Sequence, residues 1–417
     1  MRRSGAGSST VRASLSKTAL HGLVGWGVLI GVVASFLSVR VHSALSYRDP
    51  LPPLVVHLSA EQMRSWKTMP MYTRAVPVLE YHGISGPPSY LTISRYLFAK
   101  QMLALKVAGF HPISIAQYVK FLHHNYRGLP TRPILLTFDD GRLDAYRAAL
   151  SIIRAEHFHA VDIVVPGWVT SNIRFSQNWQ EMRQLEATGE WDVQAHFGFG
   201  HESIPINAAG RLGGAFADLE WYRGQKGRPG HLETFAHFKR RFTTNMLFAI
   251  KELRAHIPGY KPYAMAIPRG DYGEAYTNDP RIEAFVISWL DRHFQAVFGG
   301  DYLSRSPHER RWIGGKNYGR MAKGIEYRMT MGQRDILPVL FCRLKDYALD
   351  TRIWHEYRCY HRGKKKPRRN DNSDGDDGDS SLPALGAAER TAPGLPAASG
   401  VSPGAWAAPA GRRPRSE

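Results

Sequence analysis

The sequence predicts an α/β protein, a distorted (β/α) barrel of parallel strands preceded by one N-terminal transmembrane helix, and three observations carry that prediction. Short apolar runs alternate with helical stretches between residues 75 and 350. At about 275 residues, this region has the natural size of a (β/α) barrel. Ahead of it lies an uncharged run, residues 18–39, which as a helix would be roughly 33 Å long, enough to cross a bilayer core.

Arg2, Arg3, Arg12 and Lys17 precede that run. Residues 1–17 therefore read as a basic cytoplasmic segment and residues 18–39 as an anchor, with everything after it expected outside the cytoplasm. A cleaved signal peptide is the alternative, with Val41 and Ser43 as a weak small-residue site, and it would make the protein secreted. Residues 40–74 carry Pro50, Pro52 and Pro53 with little periodicity and read as a linker. Then "VPVLEY" (76–81) reads as a strand, and the helix that follows puts Phe98, Met102 and Leu105 on one face before Gly109. The stretch "RPILLTFDDGRLDAYRAAL" (132–150) opens as a strand apolar on both faces, Ile134 to Phe138. It ends in two carboxylates, and a helix follows with Leu143, Tyr146, Leu150 and Ile153 at helical spacing. Further strands are read in "AVDIVVPGW" (160–168), "WDVQAH" (191–196) and "YAMAIP" (263–268), and a long helix over 233–257. The globular region gives way at residues 361–417 to Pro, Gly, Ala, Ser and charge blocks, read as a disordered tail. Its acidic cluster, Asp371 to Asp379, lacks the spacing and closing Glu of an EF-hand.

A hydrophobic share of 43% excludes a fully disordered chain, and the formal charge of +19 suits nucleic acid, an anionic membrane or an acidic envelope. Expected export and the lack of a recognised nucleic-acid motif set the first of these aside. Cys342 and Cys359 lie in no zinc-type spacing, and a disulfide and free thiols both stay open. Nothing in the sequence fixes an oligomeric state.

In a barrel, chemistry gathers at the C-terminal ends of the strands. Asp139 and Asp140 end one strand, His196 and His201 follow another, and "PRGDY" (268–272) follows a third. Adjacent carboxylates repel and resist desolvation, so they need a cation, hydrogen bonds or open water. A carboxylate with two imidazoles is a ligand set for a divalent ion, zinc first, with cobalt, nickel or iron as alternatives. A strand-end Asp pair alone is more often a helix cap, and a lone His a core residue; the coincidence of three strand-end features carries the metal reading. Trp168, Trp191 and Tyr272 offer flat faces to sugar rings, with core packing as the alternative.

"TFDDG" (137–141), with "PVLEYHGI" (77–84) upstream and "AVDIVVPGW" downstream, resembles the polysaccharide deacetylases of carbohydrate esterase family 4, from about residue 75 to 300. The resemblance implies removal of acetyl groups from an N-acetylglucosamine polymer, with Asp139 as general base and Asp140, His196 and His201 as metal ligands. Its second motif commonly spaces the histidines four apart; "HFGFGH" spaces them five apart, similar to the branch acting on poly-β-1,6-N-acetylglucosamine. In the third motif, Ala266 stands where many members have an Arg that orients the base, and Arg269 takes an aromatic position. The resemblance thus leaves the base without its arginine, and leaves to the Arg269 backbone amide the developing oxyanion. No convincing "LH" pair stands near the C-terminal end of the domain to supply the usual acid, so His82, at the end of the first strand and grouped with the substrate-facing residues, is the candidate proton donor. Peptidoglycan is the rival substrate, and a catalytically weak carbohydrate-binding protein the rival function.

Overall fold

A strand buried on both faces must be apolar on both, and the runs read above obey that rule as a parallel sheet. The computed structural model describes residues 51–52, 54–67, 75–84, 89–199, 201–225, 228–274, 277–300, 302–303, 312–313 and 324–348. The expected anchor (18–39), its basic flank (1–17), the tail (361–417) and Cys359 lie outside the described residues. Among the described residues no helix is long and apolar enough to cross a membrane.

The strands of the main sheet are β1 (Val78–Tyr81), β2 (His111–Pro112), β3 (Pro133–Asp140), β4 (Ala160–Val164), β5 (Trp191–Ala195), β6 (Ala264–Ala266), β7 (Ala296–Phe298), β8 (Ile325–Glu326) and β9 (Met329–Thr330). They run in the order β8-β7-β6-β5-β4-β3-β1-β9, with β2 beside β3, and every pair is parallel. The two edge strands are separated in the chain by Tyr327 and Arg328 alone. Such a short link forces the sheet to curl until its edges nearly meet, the form expected of a distorted (β/α) barrel.

Nine helices accompany these strands among the described residues: α1 (Ala60–Lys67), α2 (Arg95–Val107), α3 (Ile115–Leu122), α4 (Leu143–Glu156), α5 (Pro166–Thr170), α6 (Trp179–Ala187), α7 (Phe235–His256), α8 (Arg281–His293) and α9 (Leu337–Ala348). Two apolar clusters follow from strand alternation. Inward residues Val78, Leu135, Val161, Ala264 and Ala296 pack on Ile115, Tyr118 and Phe121 of α3, which closes the end where the strands begin. Outward residues such as Leu79, Leu136, Phe138 and Val193 pack under the surrounding helices. Further along, the inward positions turn polar, through Glu80 and Thr137, which face each other in the β1–β3 register, to Asp139. The apolar floor and polar rim place the chemistry at the C-terminal ends of the strands.

Two expectations are corrected here. The run "AVDIVVPGW" is a strand only to Val164, because Pro166, at the first helical position, starts α5 instead. Part of the segment read as a linker is structured. Trp66 of α1 stacks on Phe341 of α9 with ring centroids 4.3 Å apart, and Leu54, Val56 and Leu58 pack against the core. Burial of these apolar side chains outweighs the prolines that suggested an open chain. Cys342, on α9, is disulfide-bonded.

Candidate active site

Successive residues of a strand point to opposite faces, so two adjacent carboxylates do not naturally share a site. The chain resolves this at the end of β3. Asp139 faces inward, while Asp140, the last residue of the strand, has φ +75° and Gly141 follows with φ +59°, a sharp left-handed turn. Gly141 is needed there on two counts: its positive φ, and the Val164 side chain, which would lie 3.1 Å from an added Cβ. Gln177 braces the turn, its N–H donating to the Gly141 carbonyl at 2.9 Å and its side-chain amide to the buried Asp162 carboxylate at 2.7 Å.

The turn carries Asp140 to the two histidines that follow β5. Asp140 Oδ1 lies 3.1 Å from His201 Nε2 and 3.8 Å from His196 Nε2, and the two Nε2 atoms are 3.0 Å apart. His196 Nδ1 donates to the Ala266 carbonyl at 2.6 Å, which fixes the tautomer and leaves Nε2 with its lone pair turned to its neighbours. Burial first, and then His201, push the His196 pKa down to about 4, so the imidazole is neutral at neutral pH. Burial would raise the Asp140 carboxyl, yet His201, with His82 and His196 beyond it, holds it well below the usual carboxylate range. A carboxylate oxygen and two imidazole nitrogens, mutually within 4.8 Å, form a donor set that fits a divalent ion. The five-residue spacing is accommodated by anchoring the intervening loop. Phe197 packs on Phe216 and Phe242, Phe199 stacks on Phe248, and Asn245 accepts from the Gly198 N–H at 2.7 Å. On the other side the Gly198 carbonyl would lie 2.5 Å from a Cβ at Gly167, so only glycine lets α5 approach.

The arginine missing at position 266 arrives from elsewhere. Arg328, in the two-residue link between β8 and β9, forks onto Asp139 with Nη1–Oδ1 2.6 Å and Nη2–Oδ2 2.8 Å, both groups buried. Its Nε donates to the Gly299 carbonyl at 2.9 Å and lies 3.3 Å from Glu80 Oε2. Burial pushes the Asp139 carboxyl up, but the Arg328 guanidinium outweighs it and the net shift is downward. For Glu80 burial prevails over the same arginine and the carboxyl is raised. His82 stands next to this group, its Nε2 3.5 Å from Glu80 Oε1 and its buried Nδ1 without a hydrogen-bond partner among the described residues. Glu80, His82 and Asp139 also lie within 4.8 Å of one another, with the single guanidinium of Arg328 set against both carboxylates.

The remaining expected residues separate into two groups. Arg269 lies at the rim with φ +58°, its guanidinium donating to the His201 carbonyl at 3.0 Å and Ser203 Oγ at 2.9 Å, so the side chain steadies the histidine loop. Trp168 is half-buried, its ring facing His201 at 6.0 Å between centroids. Tyr272 is buried in the core, and so is Trp191, which packs on Phe138. Neither offers a face to a sugar, because the apolar pocket around each ring is already filled by protein. Sequence reasoning missed Arg328 and Glu80. Glu80 did carry a signal, an acid at an inward position of an otherwise apolar strand.

Residues 127–279 match the family described as polysaccharide deacetylase. Among curated proteins, the chain is 24% identical over 213 residues to the poly-β-1,6-N-acetyl-D-glucosamine N-deacetylase of Escherichia coli (strain K12). That alignment covers 47% of this chain and 30% of the relative, so the chain spans under a third of the relative's length. Among solved structures, the BpsB deacetylase domain from Bordetella bronchiseptica shares the fold, with a TM-score of 0.50 and 20% identity over 63% of this chain and 97% of that one. A de-N-acetylase from Aggregatibacter actinomycetemcomitans gives a TM-score of 0.48 at 19% identity, over 61% and 94%. Asp139, Asp140, His196, His201 and Arg269 fall inside the matched segment, and Glu80, His82 and Arg328 outside it.

Proposed function

We propose, from a chain that carries a polysaccharide deacetylase domain over residues 127–279, that it is a metal-dependent N-deacetylase of an N-acetylglucosamine polymer, with poly-β-1,6-N-acetylglucosamine as substrate. One observation carries the reading: Asp140, His196 and His201 converge from two strand ends beside an Asp139 that a buried arginine grips with both nitrogens. The β-1,6 polymer is supported by the name of the Escherichia coli relative and by the five-residue histidine spacing.

A divalent ion, zinc first, bound by Asp140, His196 and His201 would polarise the acetamide carbonyl and lower the pKa of water. The chain's own groups do the rest. Asp139, kept ionised by Arg328, accepts a proton from the attacking water. The backbone N–H of Arg269 faces the oxyanion, while its side chain fixes the loop that holds His201. His82 gives the leaving amine its proton, and Trp168 lends an apolar wall to the bound sugar. Acetate and a glucosamine unit leave. The proposal includes an anchor at residues 18–39 and a catalytic domain outside the cytoplasm, on the strength of the uncharged run and its basic flank.

The test is acetate release by the purified, zinc-loaded chain from β-1,6-linked N-acetylglucosamine oligomers and from peptidoglycan. Release from the oligomers is expected, with kcat falling about 10³-fold in Asp139→Asn. Faster release from peptidoglycan would reassign the substrate. Oligomer binding without any acetate would put a carbohydrate-binding protein in place of the enzyme.

A further inference from the structure

We propose that Glu80 is a positioning residue that joins the two proton-transfer groups of the site, holding His82 with one oxygen and, with the other, the arginine that grips Asp139. The inference rests on the deacetylase reading above and assigns a further residue to it. Glu80 sits in β1 between apolar neighbours, facing inward and 6% exposed. A carboxylate in such a place costs several kcal/mol unless it is paired. Its pairing is divided. Oε1 lies 3.5 Å from His82 Nε2, whereas Oε2 lies 3.3 Å from Arg328 Nε and accepts from Thr330 Oγ1 at 3.4 Å.

The division has a chemical consequence. Arg328 directs both Nη atoms at Asp139, while its Nε, which donates to the Gly299 carbonyl, lies 3.3 Å from Glu80 Oε2. With Nε2 of His82 turned to Glu80, Nδ1 is the ring nitrogen to which the described residues supply no partner. Donor and acceptor of the reaction's two protons are thereby fixed against one guanidinium, and a shift of either is felt by the other. A role in stability alone would call for a counter-charge to Arg328, which Asp139 already provides with two bonds, and would not place the second Glu80 oxygen beside His82.

The experiment compares Glu80→Gln with wild type in the full zinc-loaded chain on two substrates. One is an acetylated glucosamine oligomer, whose amine must be protonated to leave. The other is 4-nitrophenyl acetate, whose phenolate leaves without a proton. The expected result is a loss in amide kcat of about 10²-fold, with KM and bound zinc unchanged, and a loss in ester kcat at least about tenfold smaller, since that substrate needs the base but not the donor. Equal losses on both substrates, or an amide kcat within about twofold of wild type, would overturn the proposal. If Glu80→Gln does not fold, Glu80→Asp keeps the charge but shortens its reach, and the same skew towards the amide is required of it. A wild-type chain that hydrolyses the ester but never the amide overturns the deacetylase reading and this inference together; an active wild type without the skew overturns the inference alone.

Discussion

A buried carboxylate is stable only if something of opposite sign meets it squarely, and Asp139 meets the two-pronged face of Arg328. Removing that arginine would strand both Asp139 and Glu80 in the interior. Arg328→Met is therefore expected to lower the free energy of unfolding by about 3–5 kcal/mol, read from the urea midpoint, and to abolish acetate release. Arg328→Lys should recover much of the stability but little of the kcat, because an ammonium cannot supply the planar fork. Recovery of full activity by lysine would show that charge alone suffices. The four residues Asp139, Asp140, His196 and His201 were legible in the sequence because costly groups clustered at strand ends. Arg328 was not, since it lies 189 positions from Asp139 in a stretch without periodicity.

Long elements announced themselves and short ones did not. The strand β3, with eight residues, and α7, with twenty-two, carry enough repeats for their period to show. Strands β8 and β9 have two residues each, too few for any pattern, yet they form the two edges of the curled sheet and deliver Arg328. The bracing of β4 against the turn after β3 was equally hidden, since it depends on a buried acid in the middle of a strand. Burial raises the Asp162 carboxyl to about 7, with Asp139 and Asp140 adding to the effect. A group whose pKa is higher in the folded state than in the unfolded one contributes its stability fully below the unfolded value, 3.8, and loses it as pH rises through about 7. Asp162→Asn, which cannot ionise, should thus gain on wild type by up to about 4 kcal/mol between pH 4 and pH 8. Urea denaturation of both proteins at the two pH values measures this, and a difference independent of pH would contradict it.

At the scale of the whole molecule, the curled sheet explains how a site can be assembled from both ends of one domain. Glu80 and His82 come from the first strand and Arg328 from the last link, and they meet because β1 and β9 are neighbours. The fold class was legible from the alternation of apolar runs and helices; the closure was not, because it is set by register and not by pattern. The central claim is that Asp140, His196 and His201 hold one divalent ion at the strand ends. Its most direct test is titration of the metal-free chain with zinc against a chromophoric chelator, wild type beside His201→Ala. The account predicts one tight ion per chain in wild type and a loss of affinity of at least about 10²-fold in the variant, with the circular dichroism spectrum unchanged. Equal affinity in the two proteins, or a wild type that takes up no ion, would contradict it.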